Sequence, residues 1–204
     1  MLFRSFTGIG HTAEVVLSDN SQVTMNAQSK LTYYNFFKYR RTLKLEGEAF
    51  FEVAKGSTFT VETPQGNVEV VGTKFNVIAR PDFFEVVCYE GKVKVCKANQ
   101  TRLLTHGDAV RFYQNRIETW NESTTPKPLW ISGESSFKNL PLQYVIDQFQ
   151  NQYKSKVQYP IPLQHIRFTG SFTNQDIDVA LQSICIPLHL NYTKTKTGEI
   201  LISE

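Results

Sequence analysis

The dipeptide Gly72-Thr73, in the stretch VVGTKF, is the sharpest chemical candidate in this 204-residue sequence. A threonine hydroxyl can attack the carbonyl before it when the backbone is held for it, giving an N-to-O acyl shift and chain cleavage. Glycine supplies the permissive backbone. The plainer reading is a tight β-turn capped by the hydroxyl. The other reactive side chains converge less. His11, His106, His165 and His189 form no HxxxH pair, and no CxxC exists. Cys185 and His189 are separated by Pro187, which breaks any shared helical face, and a structural zinc needs four ligands. His106-Gly107-Asp108 reads as a turn before it reads as a catalytic pair. Glu46, Glu48 and Glu52 flank Gly47; Glu48 and Glu52 read as the solvent side of a strand whose other side carries Ala49, Phe51 and Val53. Each glycine in this region stands alone between strands, so no phosphate loop is present. The expectation is no catalytic residue apart from the Gly72-Thr73 option, no metal and no cofactor.

The elements that must position these residues fall into two regions. Up to about Trp120 the sequence alternates apolar and polar residues with strand periodicity. Roughly a dozen short strands are punctuated by turn signals, the pattern of a β-sandwich, a barrel or a β-solenoid. Ser18-Asp19-Asn20-Ser21 makes a hairpin turn, Gly47 a bulge or bend, and Pro64-Gln65-Gly66 a turn. Glu90-Gly91 reads as another hairpin turn; in that register Cys88 and Cys96 are neither opposite nor on one face, so no disulfide joins them. All three cysteines read as small buried hydrophobes. Asn121–Pro128 has a linker's composition. The predicted organisation is an all-β domain over 1–120, sandwich or solenoid-like, a linker over 121–129, and a small α+β domain over 130–204.

The last region repeats itself. Phe137–Phe149 and Phe172–Ile184 align, each with an amphipathic stripe: Leu142, Val145, Ile146 and Phe149 in one, Ile177, Ala180, Leu181 and Ile184 in the other. Asn139 and Asn174 stand where a helix N-cap is expected, and Pro141 at a first-turn position. Lys156–Tyr159 and Leu188–Tyr192 follow as strand-like runs. The reading is two β-α-β units on one small sheet. Its candidate open edges are the strands Ile166–Thr173 and Glu199–Ser203. Partner contacts are expected at Phe168, Thr169, Ser171, Ile200, Leu201 and Ile202.

The net charge of +3 argues against a nucleic-acid groove. The one dense basic cluster, Lys38-Tyr39-Arg40-Arg41 behind Tyr33, Tyr34, Phe36 and Phe37, reads as a solvated loop rather than a single-strand binder. No run of about 18 apolar residues suggests a transmembrane span, and no signal-peptide core follows Met1. The chain is therefore expected to be cytosolic or cut from a longer one.

Several stretches resemble FecR-type periplasmic domains. Leu17–Ala27 (LSDNSQVTMNA) is similar to their "L-P-D-G-S-x-V-x-L-N-A" opening, with Asn20 where the turn glycine is usual. Arg41–Val53 (RTLKLEGEAFFEV) is similar to "R-x-V-x-L-x-G-E-A-F-F-x-V". Val71–Val77, Glu90–Val93 and Leu104–Ala109 follow in the family's order, with His106 at a proline position. Phe137–Val145 and Phe168–Asn174 resemble the C-terminal domain of FecR proteins from Bacteroides-like bacteria, which is similar to the secretin and TonB short N-terminal domain. The resemblance spans about residues 11–203. It implies the periplasmic part of an inner-membrane, single-pass anti-sigma factor of cell-surface signalling. The implied partners are the signalling domain of an outer-membrane TonB-dependent transporter, periplasmic proteases, and a sigma factor reached only through a cytoplasmic domain that this sequence lacks. Some family members split into two chains, which the resemblance carries to Gly72-Thr73. The alternative is a carbohydrate-binding β-rich module using its many aromatic rings; an enzyme such as a hydrolase would need two convergent carboxylates.

Overall fold

In the computed structural model residues 1–34, 36, 37, 39–121 and 125–204 are described. Lys38 of the basic cluster and residues 122–124 of the expected linker lie outside them. The chain divides into two compact units, Met1–Pro128 and Leu129–Glu204.

The first unit is a thirteen-stranded sheet. Its strands are β1 (Leu2–Phe6), β2 (Ala13–Val16), β3 (Gln22–Met25), β4 (Lys30–Tyr34), β5 (Thr42–Glu52), β6 (Phe59–Thr63), β7 (Gly66–Val70), β8 (Lys74–Arg80), β9 (Phe83–Glu90), β10 (Lys92–Lys97), β11 (Gln100–Thr105), β12 (Asp108–Tyr113) and β13 (Arg116–Asn121). The eleven-residue β5 is the hinge of the design. Its first half pairs with β4 on one side and β6, in parallel, on the other. Its second half pairs with β3 and β8. Gly47 sits between the halves at φ +104°, a conformation that side chains avoid. The strand therefore bends there, and the sheet becomes two layers that share β5. One layer runs β1-β4-β5-β6-β7-β10-β11 and the other β2-β3-β5-β8-β9-β12-β13.

Alternation places the apolar set between the layers. Leu31, Leu43, Phe59, Val61, Val68 and Val95 come from one, and Val23, Ala49, Phe51, Phe75, Val77, Phe84 and Phe112 from the other; all are buried in one cluster. Phe51 stacks on Phe75 at 4.9 Å and meets Phe59 of the opposite layer edge-on at 6.2 Å. Fifteen phenylalanines in the sequence thus largely serve packing, since each fully buried ring removes its whole apolar surface from water.

Two expectations change here. Glu90-Gly91 does not close a hairpin: β9 pairs with β8 and β12, and β10 with β7 and β11. Gly91 instead carries the chain from one layer to the other. Gly72-Thr73 is likewise no tight β-turn, because β7 and β8 belong to different layers. Real hairpins do form at Asn20 (φ +66°) and at Pro64-Gln65.

The second unit contains β14 (Glu134–Pro141), α1 (Leu142–Gln152), β15 (Val157–Gln158), β16 (Arg167–Thr173), α2 (Ile177–Cys185), β17 (Asn191–Lys194) and β18 (Ile200–Ser203). Leu142, Val145, Ile146 and Phe149, and Ala180, Leu181 and Ile184, are buried as the stripes require; Ile177 is half-buried. The caps differ from expectation. Asn139 lies in a bulge of β14 at φ +48°, where its N–H donates to Thr169 Oγ1 at 2.9 Å. The strand runs straight into α1 through Pro141, the N-cap, which has no N–H to satisfy. Asn174 accepts from Ser135 Oγ, and α2 is capped by Asp176, whose Oδ1 accepts from the N–H groups of Asp178 and Val179. A carboxylate there also meets the positive end of the helix. The single small sheet expected is two: β14 pairs with β16, and β15-β18-β17 form a second, with β18 in the middle. The second strand-like run also shifts, because Ile186–Leu188 form a 3-10 turn that ends at His189 with φ +55°. β17 therefore starts at Asn191.

Candidate functional site

The four connections that cross between layers after β5 are residues 53–58, 71–73, 91 and 106–107. They lie side by side as a seam, and Gly72-Thr73 is held between two of them. On one flank the Val53 N–H donates to Thr73 O at 3.0 Å and the Gly56 N–H to Val71 O at 3.1 Å. On the other, Thr73 Oγ1 donates to the carbonyl of Lys92 at 3.1 Å. Gly91, at φ +85°, lies so close that a Cβ there would sit 3.0 Å from both Gly72 O and Thr73 Oγ1. A Cβ on Gly72 would sit 2.8 Å from Cγ of Lys55. Gly72 is thus set by its close approach to Lys55, and Gly91 by its backbone angle, with a tight fit beside it.

Thr73 is buried, yet an open cavity of about 200 Å³ is lined by Gly72 and Thr73 together with Asn20, Gln22, Glu52, Lys55, Lys74 and Glu90. The cavity thus opens beside a dipeptide whose hydroxyl is fixed. Lys74 Nζ lies 3.4 Å from Glu52 and 3.4 Å from Glu90, and these carboxylates, Glu52 first, hold its ammonium above the usual lysine range. Cys88 sits beneath the seam with Sγ 3.6 Å from the carbonyl of Gly91. Burial, helped by the charge of Asp108, pushes its thiol up to about 11, so it is no nucleophile near neutrality. The next crossing is braced as a turn: His106 Nδ1 bonds to Tyr89 O, and Asp108 accepts from both the N–H and the hydroxyl of Thr105, which holds its carboxyl below the usual range.

Two buried polar assemblies were not visible in the spacing. Arg41 does not belong to a solvated loop: it is 5% exposed. Its Nε donates to Asp19 at 2.7 Å and its Nη atoms to Ala54 O at 2.6 Å and Ser57 O at 2.5 Å, with the guanidinium over the Phe59 ring. Glu48 is not on the solvent side either. Asn26 and Asn76 each donate to one of its oxygens, at 2.8 and 3.0 Å, and burial raises its pKa above the usual carboxylate range. Both assemblies link residues far apart in the sequence, so only the folded chain brings them together. The turn Asp19 and the strand-leading Arg41 were the available signal for the first.

The predicted partner-contact residues separate. Thr169 is exposed; Ser171 is half-buried and donates to Glu134; Phe168 is buried. Ile200 and Ile202 are buried and Leu201 is 40% exposed. Their strand, β18, is not an edge, because β15 and β17 occupy both sides. β16 pairs only with β14 among the described residues. Cys185 is buried, with its thiol pushed up to about 11, and Cys96 is half-buried. Among the described residues no group of three or more metal-ligating side chains gathers, and no helix is long and apolar enough to cross a membrane.

A bent two-layer sheet with a crossover seam, followed by a small α+β unit with a two-stranded ribbon, defines a class of β-rich two-unit proteins. Residues 4–94 match the model described as FecR protein, and residues 134–202 the model described as FecR, C-terminal. The chain belongs to the FecR family. Two crystal structures, each of a candidate anti-sigma factor from Parabacteroides distasonis ATCC 8503, share the fold. One superposes with a TM-score of 0.91 at 24% identity, covering 100% of this chain and 99% of the other. The second gives 0.90 at 24%, covering 99% of each. Comparison with curated proteins finds no match.

Proposed function

We propose that this chain is the periplasmic portion of an anti-sigma factor. In this reading it relays a signal from an outer-membrane TonB-dependent transporter to an extracytoplasmic-function sigma factor. The observation that carries it is the pair of FecR family matches in series, one in each unit. The sigma factor is engaged through a cytoplasmic segment outside this sequence, and an inner-membrane anchor and periplasmic proteases complete the relay. The receptor-facing element is the β14–β16 ribbon. A strand from the transporter's signalling domain adds to the outer edge of β16, near the exposed Thr169, with main-chain hydrogen bonds supplying affinity. Direct binding of the purified chain to signalling domains from the same genome tests this by calorimetry. Loss of binding in Thr169→Pro, with the helical circular dichroism retained, is expected; undiminished binding refutes edge addition. Leu201→Pro is not an equivalent test, because it breaks ladders on both sides of β18.

The seam supports a second event in the same protein, self-cleavage between Gly72 and Thr73. The Thr73 Oγ–C bond to the Gly72 carbonyl forms as the C–N bond breaks. The hydroxyl proton passes to the departing nitrogen, which becomes the Thr73 amine. Water then hydrolyses the ester, leaving the Gly72 carboxylate and restoring the Thr73 hydroxyl. Intact mass of the purified chain over time should reveal fragments 1–72 and 73–204, and none in Thr73→Ala. A single uncut species in the wild type refutes the event.

A further inference from the structure

We infer that Arg41 is a positioning residue for the bond between Gly72 and Thr73, an inference that rests on the self-cleavage reading above. Gly72 and Thr73 fall between β7 and β8, outside every strand ladder, so the sheet does not fix their peptide planes. The segment 53–56 does. Its N–H groups at Val53 and Gly56 bind the carbonyls of Thr73 and Val71, one on each side of the Gly72 carbonyl. The Gly72 carbonyl oxygen between them lies against Gly91, as the Thr73 hydroxyl also does.

Segment 53–56 is itself a connection and needs an anchor. Arg41 supplies it. One guanidinium reaches Ala54 O and Ser57 O while its Nε stays on Asp19, so a single planar group pins both ends of the connection to the β2–β3 turn. The fit is close: a Cβ on Gly56 would sit 3.0 Å from Arg41 Nη1. Ser21 adds to the same anchor, since its Oγ accepts from the Ala54 N–H at 3.1 Å and donates to Asp19 at 2.8 Å. Arg41 touches neither Gly72 nor Thr73 in this arrangement. It acts through the backbone that clasps them, and near-attack geometry is sensitive to shifts of about 1 Å.

Lysine cannot reproduce this anchor. Its ammonium is a point charge that can keep Asp19 but lacks the fork needed to hold two carbonyls at once. The test is the rate of appearance of fragment 73–204 by mass spectrometry in four full-length chains: wild type, Arg41→Lys, Arg41→Ala, and Phe112→Leu as a core-destabilised control. Each is first matched for folded circular dichroism, and Arg41→Lys carries the test where Arg41→Ala fails to fold. The expected result is cleavage slowed roughly 10-fold in Arg41→Lys and roughly 100-fold in Arg41→Ala, with Phe112→Leu near the wild-type rate. Added ethylguanidinium, filling the vacated place, should restore Arg41→Ala and leave Phe112→Leu unchanged, an effect that general stabilisation does not produce. Wild-type rate in Arg41→Lys, equal slowing in Phe112→Leu, or no rescue of a folded Arg41→Ala overturns the inference while leaving self-cleavage intact. An uncut wild type overturns both.

Discussion

Replacing Gly47 by alanine tests the bend on which both layers depend. Gly47 has φ +104°, and an added Cβ would lie 2.5 Å from Ser29 Oγ, 2.7 Å from Ser29 Cα and 2.7 Å from Ser29 Cβ. Two costs follow. A side chain at that backbone angle costs about 1–3 kcal/mol. The overlap forces β5 away from residue 29, an overpacking cost of about 1–3 kcal/mol. Ser29 has little room to yield, because its Oγ donates to Glu48 O at 3.0 Å and accepts from the Glu48 N–H at 2.8 Å. A loss of about 4 kcal/mol is expected, equivalent to roughly 15 °C in the unfolding midpoint for a unit of this size. Urea unfolding followed by tryptophan fluorescence measures it, with the slope unchanged if the native fold is kept. Ser29→Gly should not rescue Gly47→Ala, because the Ser29 Cα clash remains. A loss below about 1 kcal/mol, or full rescue by Ser29→Gly, refutes the reasoning that the bend is fixed by this contact.

Two other measurements address buried groups. Glu48 has a folded pKa raised above the ordinary 4.5, with burial the leading cause. The unfolded chain therefore ionises first, and stability present below that value is lost as pH rises toward the folded pKa. Glu48→Gln should lack this loss, so its stability relative to wild type improves between acid and neutral pH; a pH-independent difference contradicts the assignment. Thiol labelling at pH 8 should modify Cys96 quickly and leave Cys88 and Cys185 unreacted until unfolding, since burial pushes both thiols up to about 11. Rapid labelling of all three would count against the packing described here.

The parts of the structure legible in the sequence are those set by local pattern. Alternation found the strands and the 3.6-residue stripe found α1 and α2, because burial acts on every second residue or on one helical face. Asn20 and Pro64-Gln65 revealed hairpins through turn chemistry. The same logic misread Glu90-Gly91 and Gly72-Thr73, because a turn signal says that the chain changes direction and not which strand receives it. Asn139 is no cap because it sits in the β14 bulge, ahead of Pro141, and Asn174 is none because its side-chain oxygen accepts from Ser135. Arg41 and Glu48 looked exposed because their partners, Asp19, Asn26 and Asn76, are 22 to 28 residues away in the sequence. The candidate dipeptide was legible from two residues; its setting between Val53, Gly56 and Lys92 was not, since that depends on which crossings become neighbours.

The order in which strands join β5 has a consequence for how the first unit can be shortened. After β5, hairpins are laid down alternately: β6–β7 on one layer, β8–β9 on the other, β10–β11 against β7, and β12–β13 against β9. Each addition covers one exposed strand and presents the next, so the architecture accretes in pairs and has no closing step. Trimming therefore belongs at pair boundaries, and a chain that stops within a pair is left with an apolar row facing water.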